Sequence, residues 1–363
     1  MASGTAFRCK IPNERVLSSQ DLNPNHAKKS KAPRKMATEV NLMPALLFDL
    51  LPIEVLHMIL MNLDILSIKN FRRANKTGRL VVESLSAYSL LRTHASTTLR
   101  IIDTVKYSQH CPIGQLFAEF CHPWCRTCGD FGPFLYLLRL RRSCYKCNFF
   151  GEEYAVARTT DLRLYYGLPR QQLLPLPMIH SLKPGKYCIA DVVQAKASGM
   201  RLHGSEENMK RILEDTMKRR KVELDARLGR WGREGYGQKP RPASTVGIYY
   251  IENGGNQDLR MQATVTFPYW DPKTQRLEPG VYCRACTYRS EEVLMDTLYS
   301  YKDTPSQTAY HRAFLERDIP EHFRTCSAVK EEYEFQDLDP YRELNFKRDG
   351  VDFVVEPKES TDI

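Results

Sequence analysis

No stretch of this sequence stays apolar for the ~20 residues that a helix needs to cross a bilayer. The most apolar part, Leu46 to Leu66, is broken by Asp49, Pro52, Glu54, His57 and Asp64. The opening decapeptide, MASGTAFRCK, has no apolar core of signal-peptide length. The expectation is an intracellular protein, nuclear, cytoplasmic or both, with no membrane partner. Enzyme signatures are missing too: the chain has no G-x-x-x-x-G-K-[ST], no H-E-x-x-H and no G-x-S-x-G. The glycines at 229, 232, 235 and 237 follow a helical pattern instead of joining a strand to a helix, so they make a weak nucleotide signal. No repeat is visible at periods of about 20 to 50 residues. No catalytic residue is expected.

Cysteine is sparse for a disulfide scaffold. Eleven in 363 residues falls below the ~8–10% of such scaffolds, and the odd total argues against complete pairing. Six of them, Cys111, Cys121, Cys125, Cys128, Cys144 and Cys147, crowd into 37 residues. In a reducing compartment clustered thiols read as metal ligands.

What is present is ordinary globular composition, 42% hydrophobic and 26% charged, enough for two or three folded units. The net charge of +10 is uneven. Residues 1–44 carry eight basic against three acidic side chains, and residues 331–363 carry four against eleven. The first segment has no hydrophobic period and is rich in Pro, Lys, Asn and Ser, which reads as a disordered basic tail. Its run Lys28, Lys29, Lys31, Arg34, Lys35 fits the pattern of an import signal. Residues 336–363 read as an acidic tail.

From Leu46 the pattern turns helical. Pro52 suits a first helical position, where its missing N–H costs nothing. Ile53, Leu56, Ile59, Leu60 and Leu63 follow at spacings of three and four, one apolar stripe. Asp64 can cap a second helix bearing Leu66, Ile68 and Phe71. A third piece carries Leu80, Val81 and Leu85. A fourth, longer helix presents Leu90, Leu91, Ala95, Leu99 and Ile102.

The segment LPIEVLHMILMNLDILSIKNFRRANKTGRLVVESL resembles an F-box, the helical module by which substrate receptors dock on the Skp adaptor of cullin–RING ubiquitin ligases. The likeness rests on Leu51-Pro52, Glu54, the Leu56/Ile59/Leu60/Leu63 stripe, Asp64 and Phe71-Arg72-Arg73, and covers residues 46 to about 91. It implies a Skp-family adaptor as partner, a cullin beyond it, and Leu51, Pro52, Ile53, Leu56, Ile59, Leu60 and Leu63 as docking residues.

Two constellations carry chemistry. The first is Cys125-x-x-Cys128, fifteen residues, then Cys144-x-x-Cys147. Zinc takes four soft or borderline ligands in a tetrahedron, and a C-x-x-C turn brings two sulfurs to one metal. Such turns favour a residue tolerant of left-handed φ after the second cysteine, where Gly129 and Asn148 stand. The apolar strand Phe134 to Leu138 would supply the core, with Cys121 and His122 as spare ligands. The second is Cys283-x-x-Cys286 with His322 and Cys326, the last two lying four apart on one helical face. His311 is the rival histidine. Neither set leaves an open position, so both read as structural zinc sites.

The run CHPWCRTCGDFGPFLYLLRLRRSCYKC is similar to the cysteine-rich segment that follows the F-box in a family of fungal F-box proteins. The later CxxC and H-x-x-x-C extend that likeness to about residue 335.

The rest is placed by pattern. A strand is expected near Tyr187 to Val193, and a charged helix over 206–230 before a Gly/Pro connector. A hairpin pairs 244–252 with 261–269 across Asn253-Gly254-Gly255-Asn256. A capping box at 304–307 starts one helix, and another begins near Asp318.

The expected fold class is α+β: an all-α F-box module and its following helix (45–100), then small zinc-stabilised α+β modules. These are a first cysteine-rich module (101–200), the charged helix and linker (201–243), and the hairpin with the second zinc site (244–335). The expected function is a non-catalytic receptor that holds an unknown protein substrate beside the ligase's ubiquitin-loaded enzyme, so that catalysis comes from proximity. The alternative is a zinc-finger nucleic-acid binder, suggested by Arg139, Arg141, Arg142 and Lys146 beside the first metal.

Overall fold

The structure is a computed structural model. It describes residues 51–182, 187–234, 248–249, 251, 257–283, 286 and 312–327, together with a strand at 7–8. The capping box at 304–307, His311, the basic run 28–35, the connector after residue 234 and the acidic tail lie outside the described residues.

In chain order the elements begin with β1 (Phe7–Arg8), α1 (Ile53–Met61), α2 (Ile65–Ala74), α3 (Lys76–Ser84), α4 (Ser86–His94), α5 (Ser96–Thr104) and α6 (Ile113–Phe120). Then come β2 (Phe134–Tyr136), β3 (Arg141–Ser143), α7 (Tyr145–Phe150), β4 (Val156–Arg158), α8 (Thr159–Tyr165) and α9 (Arg170–Leu173). Next are β5 (Met178–His180), β6 (Cys188–Asp191), α10 (Val192–His203) and α11 (Glu206–Glu234). The chain continues through α12 (Gln257–Gln262), β7 (Thr264–Thr266), β8 (Tyr269–Asp271), β9 (Arg276–Glu278), β10 (Val281–Cys283), β11 (Ala313–Phe314) and α13 (Ile319–Thr325). Helices with small antiparallel sheets make this an α+β fold. Among the described residues no helix is long and apolar enough to cross a membrane.

The helical opening follows its local signals. Pro52 is the residue before α1, one position earlier than expected, with φ −55 and ψ 146. Asp64 caps α2: its Oδ1 accepts from Ser67 N at 2.9 Å and its Oδ2 from Ser67 Oγ at 2.6 Å. Asn75 caps α3 through Gly78 N at 2.6 Å. The single longer helix expected over Leu90 to Ile102 is two, α4 and α5. The break falls at Ala95, where φ −124 and ψ 32 leave the helical region.

The helical opening, much of the first cysteine-rich segment and residues 259–267 share one core. A continuous cluster of buried side chains runs from Leu56 in α1 to Phe267 after β7. Ile65 N donates to Cys111 O and Ile113 N to Leu63 O, both at 3.0 Å, tying the α1–α2 joint to the start of α6. Gly114 lets α6 approach α1, since a Cβ there would stand 2.6 Å from Met61 O. Helix α5 crosses the boundary drawn at residue 100.

Sheet pairing overturns the expected hairpin. Ile248, Tyr249 and Ile251 are helical, and β7 pairs antiparallel with β2, Leu135 opposite Val265. The sheet order is β3-β2-β7, so a strand from the second expected module completes the sheet of the first. A strand needs hydrogen-bond partners, but local patterning does not name them. The hairpin that forms is β8–β9, closed over Asp271, whose Oδ1 accepts from Lys273 N at 2.9 Å.

A third sheet, β4-β6-β5, separates two cores by its alternation. Val156 and Ile189 face the main cluster, while Ala157 and Ala190 face a second one with α8, α10 and α11. Helix α11 extends to Glu234, so Gly229 and Gly232 are helical instead of opening the connector. Finally, Phe7 and Arg8, inside the expected disordered tail, pair with Cys283 and Tyr282 of β10.

Candidate metal centres

Both expected ligand sets assemble. Cys125, Cys128, Cys144 and Cys147 form one group, and Cys283, Cys286, His322 and Cys326 the other, with the ligand atoms of each within 4.8 Å of one another. The residues between and around them explain why.

In the first centre, the turn after Cys125 is closed by Cys125 N to Asp130 O at 2.7 Å and Gly129 N to Cys125 O at 3.1 Å. Gly129 has φ +79, the left-handed region expected of it. Trp124 and Phe131 bridge the base of the turn. The second pair is built differently. Cys144 is the residue before α7, and its sulfur accepts from Cys147 N at 3.4 Å. Asn148, expected to be left-handed, is helical. Its amide instead donates to Thr264 Oγ1 at 2.7 Å, pinning α7 to β7.

The second centre lies between β10 and α13. Cys283 ends the strand, and His322 and Cys326 follow one helical turn apart. Cys326 N donates to His322 O at 2.8 Å. The His322 ring stacks on Phe314, centroids 4.3 Å apart.

The distances fit a small tetrahedral ion. Zn–S bonds near 2.3 Å and Zn–N bonds near 2.05 Å imply S···S edges of about 3.8 Å and S···N edges of about 3.6 Å. Cys128 and Cys144 sulfurs are 3.5 Å apart, Cys286 and Cys326 sulfurs 3.3 Å, and Cys286 Sγ to His322 Nε2 is 3.6 Å. None of these cysteines is bridged by a disulfide. Cys125, Cys144, Cys283, Cys286 and Cys326 are buried, whereas Cys128 is exposed. Cys121, Cys188 and His122 join neither group.

Metal-free, the four thiols of the first centre share their protons unequally. Hydrogen bonds from Cys144 and Cys147 hold Cys125 far below the usual thiol range. The same bond to Cys125, with one to Cys147 and burial, pushes Cys144 up. Cys286 is raised likewise by its bonds to Cys283 and Cys326 and by burial. A divalent cation held there would displace those protons.

What the sequence did not flag is the support behind the first centre. Arg142 is fully buried, and burial lowers its guanidinium to about 9, opposed by Glu119. All five of its donors reach main-chain carbonyls: Glu119 (3.0 Å from Nε, 2.9 Å from Nη2), Gly132 (2.6 Å), Phe267 (2.7 Å) and Pro268 (2.9 Å). Buried Glu119 in turn accepts from Arg126 Nη2 at 2.7 Å, inside the first C-x-x-C. A patterned run of arginines gives no hint of which one is buried.

The docking residues divide between core and surface. Leu56 and Leu60 are buried in the core and Leu63 packs partly against it, so these three do not form a surface. Leu51, Pro52, Ile53 and Ile59 are exposed, and Val55 and Met58 join them. Compared with known protein families, with curated proteins and with solved structures, the chain finds no match.

Proposed function

We propose that this chain is the substrate-recognition subunit of a cullin–RING ubiquitin ligase. It docks on a Skp-family adaptor through α1 and presents a region held together by two structural zinc ions. The observation that carries the reading is the outer face of α1. Val55, Met58 and Ile59 are 37%, 68% and 47% exposed on one side of this short helix, and Leu51 and Ile53 are 41% and 42% exposed at its start. Exposed apolar side chains gathered on so short a segment point to an interface. It lies on the segment that resembles an F-box, directly after the Leu-Pro opening.

Zinc is the ion favoured by the donors: four thiolates in one centre, three thiolates and an imidazole in the other. Closed sets without a free position supply folding energy and no reaction, consistent with a receptor that acts by proximity. The nucleic-acid reading loses ground because two of its four cations are engaged within the protein. Arg139 binds Asp191 through two bonds of 2.7 and 2.8 Å, and Arg142 is buried, which leaves Arg141 and Lys146 exposed.

The test is co-purification with the adaptor. The double variant Met58→Glu, Ile59→Glu should lose the adaptor while keeping wild-type melting temperature and two zinc ions per chain. Adaptor capture at wild-type levels would refute the proposal. Steep salt-dependent binding to DNA would favour the alternative.

A further inference from the structure

The turn that carries Cys125 and Cys128 ends in a residue that belongs to the packing of the other centre. Phe131 is buried with Tyr269, Tyr282, Ala313 and Leu315, and Trp124 lies at the edge of the group. Its ring sits on Gly280, so closely that a Cβ there would stand 2.5 Å from Phe131 Cε1. Gly280, with φ +91, leads into β10, which ends on the ligand Cys283.

From that contact the packing runs on to the second set of ligands. Tyr282 and Val281 of β10 pair with Ala313 and Phe314 of β11. Phe314 carries the stacked ring of His322, and Phe323 packs against Cys283, Cys286 and Cys326. At the surface Arg312 donates to Asp130 Oδ1 at 2.9 Å, and Asp130 is the residue whose carbonyl closes the first turn. Behind it, Arg142 holds Gly132 O and Pro268 O, the neighbours of Phe131 and Tyr269.

We infer that the two centres bind metal cooperatively, and that Phe131 seated on Gly280 is the coupling contact. The inference rests on the metal reading proposed above. Metal at the first centre fixes the Cys125–Gly132 turn and so places Phe131. A placed Phe131 is the floor on which β10 and β11 bring Cys283 and His322 together. Metal at the second centre fixes β10 and β11 and presses the same floor from the other side. By linkage the effect is equal in both directions.

The experiment titrates Co2+ into the metal-free full-length chain against a competing chelator. Four-thiolate and three-thiolate–imidazole sites have distinguishable ligand-field spectra, so each centre is followed separately. The variant His322→Ala, Cys326→Ser removes the second centre and leaves the main core untouched. In that variant the first centre should bind Co2+ at least about tenfold more weakly than in wild type, within the usual range of coupling. Phe131→Ala and Gly280→Ala keep all eight ligands. In either background, removing the second centre should no longer change the first. An affinity of the first centre within about twofold of wild type after loss of the second overturns the inference while leaving the metal reading intact. A wild-type chain that takes up no Co2+ at either centre overturns both.

Discussion

Arg142 donates three hydrogen bonds to Glu119, two from its side chain to the main chain and one from its main chain to the side chain. The Arg142 guanidinium donates through Nε and Nη2 to the main-chain carbonyl of Glu119, and the Glu119 carboxylate accepts from the main-chain N–H of Arg142 at 2.8 Å. The pair joins the end of α6 to β3, one residue short of the run into Cys144.

Arg142→Met should therefore be among the most damaging single changes. It strips donors from three buried and one partly buried carbonyl groups and leaves Glu119 with less positive charge nearby, at a cost of roughly 3–5 kcal/mol. For a chain of this size the melting temperature should fall by roughly 4–7 °C. Arg142→Lys should rescue little, because a point ammonium does not span carbonyls arranged for a planar fork. Differential scanning calorimetry decides; a fall of a degree or two would show that the fork is dispensable.

The two faces of α1 should separate cleanly in stability. Leu60 is 3% exposed in the core, so Leu60→Ala should cost about 2–5 kcal/mol. Met58 is 68% exposed, so Met58→Ala should change stability by less than about 0.5 kcal/mol. Urea melts of the two variants measure this, and equal losses would mean that the helix is turned the other way.

Metal binding at the first centre should release protons. Cys125 is held low by bonds from Cys144 and Cys147, while Cys128, Cys144 and Cys147 are raised. The metal-free centre thus holds thiol protons that the metal must displace. Raised thiols take up protons as metal leaves, so affinity rises with pH and falls with acidification. Calorimetry of Zn2+ binding in buffers of different ionisation enthalpy counts those protons; none released would contradict the thiolate set.

Asp191 should be a second point of weakness. Its buried carboxylate accepts from Tyr136 OH at 3.0 Å, from Arg139, and from Gln194 N at 2.9 Å as the cap of α10. Asp191→Ala leaves Arg139 unpaired in a half-buried position and removes the cap, costing about 3 kcal/mol or more. Hydrogen exchange in α10 and β2 should rise together, because one side chain serves both.

Much of the candidate site was legible because its chemistry is local. The spacing of Cys125, Cys128, Cys144 and Cys147 names a ligand set by itself, since a C-x-x-C turn needs only a few residues to bring two sulfurs together. His322 and Cys326 share a helical face for the same reason. Asp64 announced its cap, and Gly129 its left-handed turn. Tertiary structure decided what local pattern leaves open. A stripe at spacings of three and four says that a helix is amphipathic, yet Leu56 and Leu60 face inward and Ile53 and Ile59 outward because of where α6 lies. Thr264–Thr266 reads as a strand, but its partner is β2, far away in sequence, since any extended segment with free N–H and C=O groups satisfies another. Arg142 looks like its neighbours Arg139 and Arg141. Only the convergence of Glu119, Gly132, Phe267 and Pro268 carbonyls on one point makes it the residue that can be buried with its charge.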